Sequence, residues 1–232
     1  MATRFYLPAS AAVTPISPTP DAAWEDTTLL ARAVTDTVTI SDAMATVSFT
    51  DITEDNNRDV LFRQYISPTL AANQTITGAQ ALKAQIRGSE TALSNNMFVS
   101  VGVRILGSDG TTVRKTVLAV TRDNVELVLT TLTNRQYTAT SAAGNYTTAT
   151  GDRLVIEIGT GGLPIVGDNR SSLRFGDAAA SDLAENDTAT SDDRPWVEFT
   201  DTLTYPVAVS GGGTRGMAQR YRRGKRRHGR RQ

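Results

Sequence analysis

Residues able to do chemistry are unevenly placed in this sequence. Its one histidine, His228, sits inside an arginine-rich C-terminal run. A Ser-His-Asp triad or a multi-histidine metal site in the rest of the chain is therefore excluded. Cysteine is absent, which removes a disulfide framework, a thiolate nucleophile and a cysteine-held metal. Acidic residues gather at Asp177, Asp182, Glu185, Asp187, Asp192 and Asp193. Two carboxylates flanking a sugar could run glycoside hydrolysis, and several converging oxygens could hold calcium. Neither is marked by a recognisable spacing, and the cluster reads as a solvated acidic loop between strands. Gly159-Thr160-Gly161-Gly162 lacks the glycine spacing and the following Lys-Ser/Thr of a phosphate loop, and reads as a strand-ending loop. No catalytic residue, metal ligand or cofactor is expected from these patterns.

The strongest chemical signal is electrostatic. Residues 215–232 carry Arg215, Arg220, Arg222, Arg223, Lys225, Arg226, Arg227, Arg230 and Arg231, with Tyr221 interleaved. These are nine of the 24 basic residues, so residues 1–214 keep 15 basic against 24 acidic, a formal charge of −9 hidden inside a net charge of zero. A run this cationic and this poor in apolar residues cannot offset its own ordering entropy by making a core. It needs an anionic partner: an acidic protein groove, or a nucleic acid whose phosphates supply affinity while the tyrosine ring stacks on a base. Gly211-Gly212-Gly213 would be its flexible joint.

The elements that must position anything else are strands. Leu82, Ala84 and Ile86 alternate with Lys83, Gln85 and Arg87, and Met97, Val99, Val101, Val103 and Ile105 alternate with Phe98, Ser100, Gly102, Arg104 and Leu106. Leu154, Ile156 and Ile158 do the same around Val155 and Glu157, as do Leu173 and Phe175 around Arg174, and Val197 and Phe199 around Glu198. Period-two alternation predicts strands with one buried and one wet face. Ser108-Asp109-Gly110 predicts a tight hairpin, Thr133-Asn134 and Gly144-Asn145 read as breaks, and Gly151-Asp152 precedes a strand. Short helices are expected at 26–33 and 178–184. Residues 9–20 hold three prolines and predict an extended arm after a short strand at 4–7, with Trp24 as its docking point. That arm could lie across its own domain or reach a neighbouring subunit.

About ten strands with almost no helix predict an all-β fold, an antiparallel β-sandwich of jelly-roll form. The expected organisation is an N-terminal arm at 1–25, a sandwich at 26–210 and a glycine-hinged basic tail at 211–232. The N-terminus makes a poor signal peptide, and no stretch approaches the roughly 20 apolar residues that cross a bilayer. The expectation is a soluble protein with no membrane partner, released by lysis if it leaves the cell.

Several segments together resemble a known group: Ala2-Thr-Arg-Phe-Tyr-Leu-Pro8 with Ala23-Trp-Glu25, Phe62-Arg-Gln-Tyr65, Ser108-Asp-Gly-Thr-Thr-Val-Arg114 and Thr133-Asn-Arg-Gln-Tyr137. Gly151-Asp-Arg-Leu-Val-Ile-Glu-Ile-Gly159, Leu173-Arg-Phe-Gly-Asp177 and Pro195-Trp-Val-Glu-Phe199 complete the set. Over residues 2–200 the set is similar to a loosely characterised family encoded among the structural genes of tailed phages. The resemblance implies a virion component of β-sandwich type and carries over no catalytic or binding residue. The basic tail is not part of the family pattern.

The expected function is a non-enzymatic structural protein of a phage virion, such as a capsid decoration or cement protein, forming a homo-oligomer. Its partners would be other virion proteins and, through the tail, packaged nucleic acid. The alternative is a carbohydrate-binding adhesin of the tail fibre or baseplate, for which Trp24, Tyr146 and Trp196 are the aromatic candidates.

Overall fold

A computed structural model describes residues 2–9, 14, 16–27, 31–33, 45–51, 58–91, 96–141, 143–162, 169–176, 181–188 and 195–206. The described residues form strands without a helix, so none of them makes a helix long and apolar enough to cross a membrane. In chain order the strands are β1 (Thr3–Tyr6), β2 (Asp26–Thr27), β3 (Ala31–Ala33), β4 (Ala45–Asp51), β5 (Arg58–Thr69), β6 (Thr75–Ile76) and β7 (Ala81–Glu90). They continue as β8 (Met97–Leu106), β9 (Val113–Arg122), β10 (Thr133–Thr140), β11 (Tyr146–Thr147), β12 (Arg153–Gly162), β13 (Asn169–Phe175) and β14 (Trp196–Phe199).

Two six-stranded sheets result. In sheet I, β7 is central. One edge pairs with β10 along its length, and the other is shared by β14 at Lys83–Gln85 and by β13 at Arg87–Glu90. β1 extends the sheet from β14, and β4 extends it from β13. Sheet II runs β9-β8-β12-β5, with β2 and β3 on the β5 edge. β6 and β11 form a small two-stranded sheet.

The two sheets meet over one apolar core, which makes the molecule a β-sandwich. Phe5, Ile86, Tyr137, Leu173, Phe175, Val197 and Phe199 of sheet I face Val60, Phe62, Val99, Val101, Val103, Ile156 and Ile158 of sheet II. Each such side chain contributes roughly 1.5–3 kcal/mol by leaving water. The Phe5 and Phe199 rings pack edge to face, 5.8 Å apart. A register shift where β5 pairs with β12 inserts Phe62 between the Leu61 and Arg63 pairings and reverses the parity of β5. Val60 and Phe62 therefore point inward before the bulge and Tyr65 after it, while Gln64 bonds Glu157 and Ile66 packs with Leu106 and Val155 on the outer face.

The expected hairpin at 108–110 is present. Gly110 takes a φ of 71°, the Gly107 N–H reaches the Thr112 carbonyl at 2.9 Å, and Asp109 accepts from both Thr111 and Thr112. Those hydrogen bonds, the Thr112 hydroxyl first, hold the Asp109 carboxyl well below the usual range.

Several expectations are corrected. The segment read as a helix at 26–33 contributes β2 and β3, which run parallel to β5 and so depart from a purely antiparallel sandwich. Eight residues are too few to nucleate a helix alone, and the unpaired β5 edge offers backbone partners instead. Of the second expected helix, 181–184 is irregular chain and 178–180 lies outside the described residues. Thr133-Asn134 opens β10, and Gly159–Gly162 lies within β12. The strand count exceeds ten because pairs of two to four residues leave little periodic trace.

The expected wet faces are corrected as well. Gln85, Arg87, Arg104 and Glu157 are all buried, although each alternates with core residues, and Gln64 of β5 is buried with them. Other parts of the chain cover both outer faces.

Candidate functional site

On the outer face of sheet II, β5, β12 and β8 bring Gln64, Glu157 and Arg104 side by side, and the segment 16–25 lies across them. Glu157 is fully buried, which for a lone carboxylate would be prohibitive. It is met by four donors: Arg104 Nη2, Gln64 Nε2 at 2.8 Å, the indole N–H of Trp24 at 3.0 Å and the Asp21 backbone N–H at 3.1 Å. Arg104 also donates to the Thr19 carbonyl at 2.8 Å and lies 3.5 Å from Asp21. Ile16 packs on Ile66, Leu106 and Val155 beside this cluster. A Cβ at Gly159 would stand 2.8 Å from the Trp24 ring and collide with the Val60 carbonyl. Gly159, in the glycine run read as a strand-ending loop, is thus the seat of the tryptophan. Next to them Asp59 accepts from Arg122, at 2.9 Å to both Nε and Nη2, and from Ser100 at 3.0 Å. The Asp59 backbone N–H is in turn bonded by Glu25 at 2.8 Å. Of the expected arm at 1–25, residues 16–25 therefore dock on sheet II with Trp24 as the docking residue, whereas Thr3–Tyr6 is a strand of sheet I whose Phe5, with Leu7, lies in the core.

The outer face of sheet I uses the same device with a different strap, residues 181–187. Gln85 bonds the Ser181 carbonyl and the Leu183 N–H at 3.1 and 2.8 Å. Asn134 and Gln136 bond the Leu183 carbonyl at 3.1 and 2.7 Å. Glu185 takes Arg135 and the Gln136 N–H, and Arg135 also binds Asp123 at 2.9 Å.

Beyond this strap the face stays open. Register aligns Thr138 of β10, Lys83 of β7, Glu198 of β14 and Arg4 of β1 in one row, with Gln136 and Trp196 in the next. They line a cavity of about 280 Å³, rimmed by Asp182. Arg4 chelates Asp182 at 2.6 Å and Glu198 at 3.0 Å, while its guanidinium lies 3.9 Å from the centre of the Trp196 ring. Desolvation works to lower the Arg4 pKa. Its hydrogen bonds to Asp182 and Glu198 more than reverse that, so the group is held above its ordinary value.

The residues singled out in the sequence are scattered. The cationic set Arg215, Arg220, Tyr221, Arg222, Arg223, Lys225, Arg226, Arg227, Arg230 and Arg231 lies outside the described residues, as do Asp177, Asp192 and Asp193. Asp182 and Glu185 are arginine partners, and no group of three potential metal-ligating side chains occurs among the described residues. Trp24 and Trp196 are each only 7% exposed. Tyr146 donates to Asp152 at 2.6 Å, and burial followed by that bond pushes its phenol up to about 12. None of the three offers an open aromatic platform.

No protein-family model matches the sequence, and no curated protein matches it. Among solved structures the chain is similar to a CocE/NonD family hydrolase from Staphylococcus aureus, with a TM-score of 0.44 and 8% identity over 87% of this chain and 36% of that one. An alpha-amino acid ester hydrolase gives 0.44 and 9% over 85% of this chain and 36% of that one. A structure of infectious bursal disease virus, Gt strain, gives 0.31 and 11% over 68% of this chain and 37% of that one. The chain spans little more than a third of each of these chains. At such TM-scores the likenesses carry no argument about its activity or partners.

Proposed function

We propose that this chain is a non-enzymatic structural component of a phage virion, a capsid decoration or cement protein or another particle-attached protein, anchored by its basic C-terminal tail. The observation that carries the reading is the partition of charge: nine cations in the last 18 residues against a body of formal charge −9. The virion setting rests on the resemblance over residues 2–200. Support also comes from how the body uses its acids. Glu157 is engaged by Arg104, Asp59 by Arg122, Asp123 and Glu185 by Arg135, and Asp182 and Glu198 by Arg4. These carboxylates secure the chain's own straps. The placing of β12 between β5 and β8 is the interleaving that Greek-key winding produces, in line with a jelly roll.

An extended tail of 18 residues reaches at most about 60 Å at roughly 3.3 Å each, enough to cross a shell or follow a groove on a neighbour. Its partner is an acidic virion protein or packaged nucleic acid, and repeated sites on a particle favour a symmetric oligomer. Deleting residues 215–232 leaves the sandwich folded, with an unchanged unfolding midpoint, and abolishes attachment to particles in a co-sedimentation assay. Attachment of the truncated chain at the wild-type level overturns the anchor. Attachment of the full chain falls steeply between 50 and 200 mM salt, as phosphate-type contacts require.

A further inference from the structure

The cavity on sheet I, which the 181–187 strap only rims through Asp182, has no part in the strap contacts on sheet II. We propose that it binds one neutral saccharide unit over the Thr138–Lys83–Glu198 row. Three observations point to that class of ligand.

The first is what the wall leaves unused. Lys83 sits directly opposite Glu198 in register, yet Arg4 binds Glu198 through a single oxygen, Oε2. Glu198 Oε1 is thereby left as an acceptor. Lys83 and the Thr138 hydroxyl make no hydrogen bond or ion pair with the described residues, and the Gln136 side chain spends its amide nitrogen on Leu183 and keeps its oxygen. Donor and acceptor groups thus alternate across neighbouring strands, as the hydroxyls of a pyranose require.

The second is charge. Arg4 and Lys83 balance Asp182 and Glu198, so an anion gains no net attraction and meets two carboxylates. The third is size: about 280 Å³ is just below the range of roughly 300–1,000 Å³ for drug-sized ligands and suits one ring. Arg4 covers one face of Trp196, so recognition here works by hydrogen bonds across the strand row. It does not use the stacking platform that an aromatic-led adhesin would need.

Saturation-transfer NMR on the full chain tests this with glucose, galactose, mannose and N-acetylglucosamine as neutral probes, and glucuronate and N-acetylneuraminate as acidic ones. At least one neutral sugar gives transfer at millimolar concentration. That affinity weakens about fivefold on losing one hydrogen bond in Thr138→Val, and similarly in Lys83→Met. Both substitutions are at exposed positions, and an unchanged melting temperature verifies the fold. Lys115→Met, on the other sheet, leaves binding intact. Transfer from no neutral sugar, transfer confined to the acidic sugars, or transfer indifferent to both substitutions overturns the proposal. Tail-dependent particle attachment is read separately, so either idea can fail alone.

Discussion

The two outer faces of the sandwich solve one problem to different extents. On each, polar side chains that alternate with core residues reach out and grip a strap of the same chain. On sheet II the grip is complete: segment 16–25 brings its own donors to Glu157, and carboxylate, guanidinium and indole are all enclosed. On sheet I, strap 181–187 closes over Gln85, Asn134 and Gln136 and reaches Arg135 through Glu185. It ends at Asp182, with the Thr138–Lys83–Glu198 row left beside open solvent. Equal charges therefore have unequal weight. An ion pair sealed from water is costly to break, because the survivor is stranded, whereas one at the rim exchanges its partner for water.

That contrast makes Glu157→Ala the most damaging change on either face. It strands Arg104, whose side chain is 5% exposed, with Asp21 at 3.5 Å as its remaining carboxylate, and it orphans Gln64 and Trp24. The expected loss is about 3–5 kcal/mol, read from urea unfolding. A cost below about 1 kcal/mol would erase the distinction between the faces. Gly159→Ala comes next, at about 1–3 kcal/mol for overpacking. The new methyl collides first with the Val60 carbonyl of β5 and also with the Trp24 ring, so β5 yields together with the strap seated on it, and iodide quenching of tryptophan fluorescence rises with the destabilisation. Loss of stability without added quenching would mean that the strap stays seated and sheet II itself distorts.

Much of the sandwich was legible from alternation, because a half-buried strand writes its period directly into Leu82–Arg87 or Leu154–Ile158. The clamp was not. Glu157 between Ile156 and Ile158 looks like any wet-face residue, and its burial depends on a segment more than 130 positions away. Arg104 and Gln64 were hidden in the same way, Gln64 doubly so because the bulge at Phe62 shifts its parity. β2 and β3 were misread because segments of two and three residues take their conformation from the β5 edge and not from their own propensity. The cavity was invisible for a related reason. Its row spans four strands drawn from positions 4, 83, 138 and 198, and only the register joins them.

The smallest predicted effect is at the rim. Asp182→Ala removes a carboxylate that is 58% exposed and pairs at 2.6 Å with Arg4, itself 25% exposed. Arg4 retains Glu198 at 2.9 Å and its place over Trp196, so no charge is left without a partner. The expected loss is about 0.2–1 kcal/mol at low salt. It shrinks further in 1 M salt, where the screening length falls to about 3 Å. Glu157→Ala should keep most of its cost in the same salt, since its charges are sealed off from mobile ions. If both losses fall in parallel with salt, water reaches Glu157 and the strap on sheet II is as open as the one on sheet I. If only the rim loss falls, what separates the two faces is access to solvent, since both present the same kinds of residue.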